Sequence, residues 1–361
     1  MKSFNKFLLM SAALLSMSLT ACGGNGGNSN GPEKDPNEVS VFVLSGQSNM
    51  EGNTSFEGDV REGSQTIHHD FLAEAFEKMG LEDVNVCKEG IQEVVTSSYC
   101  AGYGQLNHNN LTNNSSVNAT NTTNQIDGAF VPTKVGLGLN SSKMGPELGA
   151  AYALREYADA DKPIYFIKLA SGGSGFAQSG TDYNWPVKDA SGNFPEINLY
   201  HTFLKPFINN NLKHIKDEGW TPVIKGWLWH QGESDCADEK IPVYAQRLSD
   251  MVSLFREDFA EYARDEDGDN IAFIDGMVYQ GSNPKTNWHT PDLMNAEKQK
   301  FADSNDMNFI VDTYGNAEEK TDENELKPGN PGGDSMHYNT ESSFRLGMAY
   351  GQVIIDNDLL D

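Results

Sequence analysis

Short apolar runs recur along the chain at Val41 to Leu44, Tyr165 to Leu169, Val223 to Trp229, Ile271 to Ile274 and Phe309 to Val311. Their length and continuity predict buried strands. Amphipathic stretches separate most of them: Glu147 to Tyr157, Phe203 to Ile215, Tyr244 to Tyr262, Leu293 to Ala302 and Glu341 to Ile355. These predict helices. Strands that are apolar throughout, alternating with helices, predict an α/β fold in three layers, with a mostly parallel five-stranded sheet between helices. In such sheets, sites collect at the carboxyl ends of the strands. Ser48, Gly172, Gly173, Gln231 and Glu233 all follow predicted strands at that end.

The pattern breaks at both ends and once inside. Lys2 and Lys6 precede the apolar stretch Phe7 to Leu19, which is too short for an ordinary membrane span and reads as a signal peptide over residues 1–21. It ends in Leu19-Thr20-Ala21-Cys22, a lipobox pattern, and a Gly/Asn-rich run follows it. The expectation is cleavage, lipidation of Cys22, a flexible tether over 22–38 and one domain over 39–361. That places the protein as an exported bacterial lipoprotein, anchored at the periplasm or the cell surface; plain secretion with an incidental cysteine is the alternative. Residues 103–128 form a polar insertion whose Asn/Thr-rich centre, Asn107 to Asn124, is too poor in apolar residues to fold alone. It reads as a solvated loop, with substrate recognition as the alternative.

Composition narrows the partners. The formal charge of -26, made more negative by loss of Lys2 and Lys6 with the leader, repels polyanions and argues against nucleic acid. Beyond Cys22 only Cys87, Cys100 and Cys236 remain, so at most one intramolecular disulfide can form among these three, Cys87 with Cys100 being the candidate pair. No Cys/His cluster has zinc-site spacing. Asp265 to Asn270 begins like a calcium loop, but Gly276 stands where the twelfth-position Glu belongs, so a solvated turn is the better reading.

Chemistry concentrates in three places. Gly46-Gln47-Ser48-Asn49-Met50 follows the first strand and sets Ser48 on a sharp turn, as a nucleophile requires. Asp334-Ser335-Met336-His337 offers a base with an acid three residues before it, close enough for the Asp to bend back and fix the ring's tautomer. Trp229-His230-Gln231-Gly232-Glu233-Ser234-Asp235 holds a rival base, His230, without an Asp at such a spacing. A serine that attacks a carbonyl also needs donors for the oxyanion. The backbone amide of Ser48 and a glycine amide of Ala170-Ser171-Gly172-Gly173-Ser174 are candidates. Trp185 is the candidate stacking platform for a substrate ring, whereas Trp227 and Trp229 lie within a strand and read more as core.

Together these segments resemble the SGNH (GDSL-like) hydrolase superfamily, and within it the branch of carbohydrate esterase family six and the sialate O-acetylesterases. The resemblance spans roughly residues 39 to 357. It implies a flavodoxin-like sandwich and serine-dependent removal of acetyl groups from sugars, with no metal or other cofactor. It implies Ser48, His337 and Asp334 as the triad, and Ser48, Gly173 and the Gln231 side chain as oxyanion donors. Gln47, Asn49 and Glu233 are then supporting residues, Glu233 orienting Gln231 or a histidine. Gly145-Pro146-Glu147 resembles a further family block with a packing role, and Glu147 suits a helix N-terminus.

The expected activity is therefore carbohydrate O-acetylesterase action on an acetylated oligo- or polysaccharide such as xylan. A sialate O-acetylesterase with the same triad, a lipid or thioester hydrolase, and an inert surface glycan-binding lipoprotein are the rivals.

Overall fold

The computed structural model describes residues 35–106, 129–177, 181–237, 239–280 and 290–360. The expected leader, Cys22 and the centre of the polar insertion lie outside these residues. Seven strands build the central sheet: β1 (Glu38–Gly46), β2 (Ile91–Ala101), β3 (Val131–Thr133), β4 (Ile164–Ser171), β5 (Thr221–His230), β6 (Ala272–Gly276) and β7 (Asn308–Val311). Their order is β7-β6-β5-β1-β4-β2-β3, and all neighbours run parallel except β2 and β3.

The helices are α1 (Ser48–Glu51), α2 (Phe71–Met79), α3 (Val84–Glu89), α4 (Pro146–Leu154), α5 (Lys205–Asp217), α6 (Tyr244–Asp258), α7 (Pro291–Ala302) and α8 (Thr340–Asp356). Strand side chains alternate between two cores, as the pleat requires. Val41 and Val43 join the core beneath α5, α6 and α7, where Phe207, Leu248, Phe255 and Met294 meet them. Phe42 and Leu44 join the opposite core, with Leu72 of α2, Leu148 of α4 and Phe344 of α8. The three-layer sandwich follows from this two-sided burial.

The sheet has seven strands, not the five expected. The missed strand β2 carries Thr96, Ser97 and Ser98, polar residues that are nonetheless buried. Thr96 and Thr133 hydroxyls lie 2.7 Å apart across the β2–β3 pair, and Ser98 donates to Leu137 O at 3.2 Å. Hydroxyls satisfied across a strand pair leave no apolar signature in the sequence. Cys87, Cys100 and Cys236 are all free thiols in buried positions, so the Cys87–Cys100 pairing does not form. Asp265 to Asn270 makes short 3₁₀ turns between α6 and β6.

Candidate active site

Three adjacent strands end at one level. Gly46 of β1 pairs with Ala170 of β4 on one side and His230 of β5 on the other. Ser48, the Gly172-Gly173 turn and Gln231 therefore emerge side by side at the carboxyl edge. Gly46 sits at φ +149°, and a Cβ there would lie 2.0 Å from His230 O, so only glycine lets the chain turn this close to β5. Gln47 N donates to that same His230 O at 3.0 Å. Ser48 then opens α1, whose first amides have no helical acceptor.

The loop before α8 carries the Asp334–His337 pair expected to act as acid and base. Asp334 Oδ2 lies 2.9 Å from His337 Nδ1, and Asp334 Oδ1 accepts the amides of Met336 and His337 at 2.7 and 3.0 Å. Burial works to raise the Asp334 pKa, but these amides and the ring hold it below the ordinary carboxylate value. With Nδ1 tied to the carboxylate, the other ring nitrogen is the one available for proton transfer.

Asn49 joins the two motifs. Its Oδ1 accepts Tyr338 N at 3.0 Å and its Nδ2 reaches Met336 O at 3.5 Å, so one amide next to Ser48 grips the chain on both sides of His337. The same Nδ2 donates to Glu233 Oε1 at 2.8 Å. Burial would raise the Glu233 pKa, yet the adjoining His230 ring and the Asn49 amide bring it down to about 2. Glu233 is thus an orienting carboxylate for Asn49. His230 is fully buried, with Nε2 3.4 Å from Glu233 Oε1, and has no exposed face for a substrate.

Two expected roles need correction. Gln231 is fully buried, and its Nε2 lies 2.7 Å from Asp235 Oδ2, 3.2 Å from Gln47 Oε1 and 3.3 Å from Ser174 O. Two amide protons facing three protein acceptors leave none for an oxyanion. Tyr244 donates to Gln231 Oε1 at 2.9 Å, so this side chain braces the turn from below. Gln47 Oε1 accepts Ser234 N at 3.1 Å, whereas Gln47 Nε2 has no acceptor among the described residues. Trp185 is also fully buried: Nε1 donates to Ser174 Oγ at 3.0 Å, and the ring meets Trp229 edge-on. It is a wall of the core, and no sugar can lie on it.

Two ionisable residues behind the turn escape motif reading. Lys168, in the middle of β4, is fully buried and donates to Glu147 Oε2 at 2.6 Å, while Glu147 Oε1 accepts Gly145 N at 3.0 Å. A lysine inside an apolar strand is the sequence signal that could have found this pair. Glu51, at the end of α1, accepts Gly172 N at 3.2 Å and Asn53 Nδ2 at 2.8 Å. It thereby holds the Gly172-Gly173 turn against the turn that carries Ser48. Burial pushes its pKa up to about 7, with Asn53, the Gly172 amide and Lys168 opposing.

A folded-state pKa above the unfolded one means that protonated Glu51 stabilises the fold fully below pH 4.5, and that this contribution is lost as pH rises through 7. The shift corresponds to about 3 kcal/mol. Denaturant unfolding at pH 5 and pH 8 should show the wild type losing stability relative to Glu51→Gln by roughly this amount. Parallel pH dependence in the two proteins would contradict the assignment.

Residues 94–356 match the family model described as carbohydrate esterase, sialic acid-specific acetylesterase. The chain belongs to this family. Its members are carbohydrate esterases, hence carboxylic ester hydrolases, as the SGNH resemblance implied. The matched region contains Gly173, Gln231, Asp334 and His337, and begins after Ser48. Among solved structures the esterase is similar to a protein from Arabidopsis thaliana, at 17% identity and TM-score 0.49, covering 89% of this chain and 99% of that one. It is similar to NanS at 14% identity and TM-score 0.49, covering 89% and 98%. It is also similar to a carbohydrate acetylesterase from Xanthomonas citri, at 15% identity and TM-score 0.45, covering 88% and 56%. No curated protein matches it.

Proposed function

We propose that the protein removes O-acetyl groups from a neutral glycan of the xylan type through an acetyl-Ser48 intermediate. The reading rests above all on the Asn49 clamp, which fastens the Asp334–His337 pair to the turn that presents Ser48. Ser48 Oγ attacks the acetyl carbonyl while His337 takes its proton. Collapse of the tetrahedral intermediate breaks the bond to the sugar oxygen, which leaves with the proton from His337. Water, deprotonated by His337, then releases acetate and restores Ser48.

The oxyanion is held by the backbone amides of Ser48 and Gly173, neither of which has an acceptor among the described residues. Gln47, with its unclaimed amide nitrogen, is the third donor in place of Gln231.

Charge beside Asp334 supports a neutral substrate. A cleft of about 280 Å³ adjoins Asp334, and its wall carries Glu57 and Asp59 as well, with Lys143 on the same wall. Lys143 is spent on Ser55 Oγ at 2.9 Å, and burial lowers its pKa while Asp334 opposes. A sialate carboxylate would meet more negative than positive charge here. The family description favours the sialate reading instead. Acetate release from acetylated xylan and from O-acetyl sialic acid, compared at equal concentration, separates the two: the proposal requires the xylan to be the better substrate.

We also propose lipid anchoring through Cys22. Metabolic labelling with a fatty-acid analogue should mark the wild type and not Cys22→Ala. An unlabelled wild type defeats this part alone.

A further inference from the structure

Trp185 is unavailable to a sugar, yet the site has an aromatic surface of another origin. Tyr103 and Tyr183, from separate loops, are 53% and 37% exposed, and their ring centroids stand 5.6 Å apart with planes inclined at 56°. The pair lies beside the reaction centre. A Cβ built on Gly172 would fall 3.6 Å from Ser48 Cβ, so this turn borders the nucleophile. One built on the next residue, Gly173, would fall 3.5 Å from Tyr103 Cβ and 3.7 Å from its ring, and one on Gly104 would fall 3.5 Å from the Tyr183 ring. Ser48, the glycine turn, Tyr103 and Tyr183 thus follow one another outward from the site.

We propose that Tyr103 and Tyr183 form a stacking subsite for an unsubstituted pyranose of the glycan backbone, next to the sugar whose acetyl group reaches Ser48. This deepens the acetylesterase reading and rests on it for the identity of the ligand. Two large aromatic side chains left in water are covered most economically by a flat apolar face, and each phenol keeps its hydroxyl for the sugar's polar rim. Two rings inclined to each other make a shallow V, which fits a ring lacking bulky substituents. Xylose, with no exocyclic hydroxymethyl group, presents such faces; a sialic acid, with its carboxylate and glycerol tail, does not. The side-chain amide of Gln105, exposed on the same loop as Tyr103, supplies a polar edge.

The test is binding of linear, unacetylated xylohexaose to the intact protein by calorimetry, which needs no turnover. The dissociation constant should rise about tenfold in Tyr103→Ala/Tyr183→Ala, the scale of one to two aromatic contacts, and should stay close to wild type in Tyr103→Phe/Tyr183→Phe. In acetate-release assays the ratio of kcat/KM on acetylated xylo-oligosaccharide to kcat/KM on an aryl acetate should fall by a similar factor in the alanine variant. Unaltered xylohexaose affinity in that variant, or no affinity in the wild type, overturns the subsite. A wild type that binds xylohexaose as described but hydrolyses no acetyl ester overturns the esterase reading and leaves the subsite standing.

Discussion

Replacing Ser48 with Ala should lower acetyl-ester turnover by about 10⁴- to 10⁶-fold and leave the protein folded. The size follows from the role, since removing the nucleophile of a triad removes the covalent route and leaves only what binding and oxyanion donors supply. The fold survives because the Ser48 side chain has no hydrogen-bond partner among the described residues, and the turn is held by its neighbours: Gln47 through His230 O, Asn49 through Tyr338, and Glu51 through Gly172. Aryl acetate turnover by the purified variant, beside its circular dichroism, is the measurement. Near-wild-type turnover in a folded variant removes Ser48 from the mechanism.

The second large effect separates the two histidines. His337→Ala should lose nearly all turnover, and Asp334→Asn about 10⁴-fold, because the ring then loses the carboxylate that selects its tautomer. His230→Ala should do less to chemistry and more to stability, because it removes a ring buried against Glu233 and Tyr338. Turnover and thermal unfolding of the four proteins decide between these roles. A dead His230 variant beside a fully active His337 variant reverses the assignment and points to Glu233 as its acid.

The sequence carries the fold wherever burial is apolar. The strands around Val41, Tyr165, Val223, Ile271 and Phe309, and the helices between them, are all present near the expected bounds. It conceals β2 because Thr96, Ser97 and Ser98 are buried polar residues, the Thr96 and Ser98 hydroxyls being paired with Thr133 and Leu137 O, and pairing partners leave no mark on composition. Short helices such as α3 lack a periodic face long enough to read.

The site is legible in the same uneven way. Local motifs single out Ser48 and pair Asp334 with His337, a pairing the structure forms at 2.9 Å, because each is read from its neighbours alone. What Gln231 and Trp185 do depends on residues far along the chain. Asp235, Gln47 and Ser174 O consume the Gln231 amide, and the core around Trp229 encloses Trp185. Glu51 is invisible for a related reason: nothing in the run after Met50 shows that its carboxylate will meet Gly172, 121 residues on, in a dry site. Tyr103 and Tyr183 come together from separate loops across the same distance problem.

The central claim is that acetyl transfer passes through Ser48 with His337 as its base. It is tested most directly by rapid-quench peptide mass spectrometry of the enzyme turning over an aryl acetate. An acetyl group on the peptide bearing Ser48 in the wild type, absent in Ser48→Ala and in His337→Ala, is the expected result. Acetylation of a different residue, or acetylation of Ser48 at the wild-type rate without His337, would contradict it.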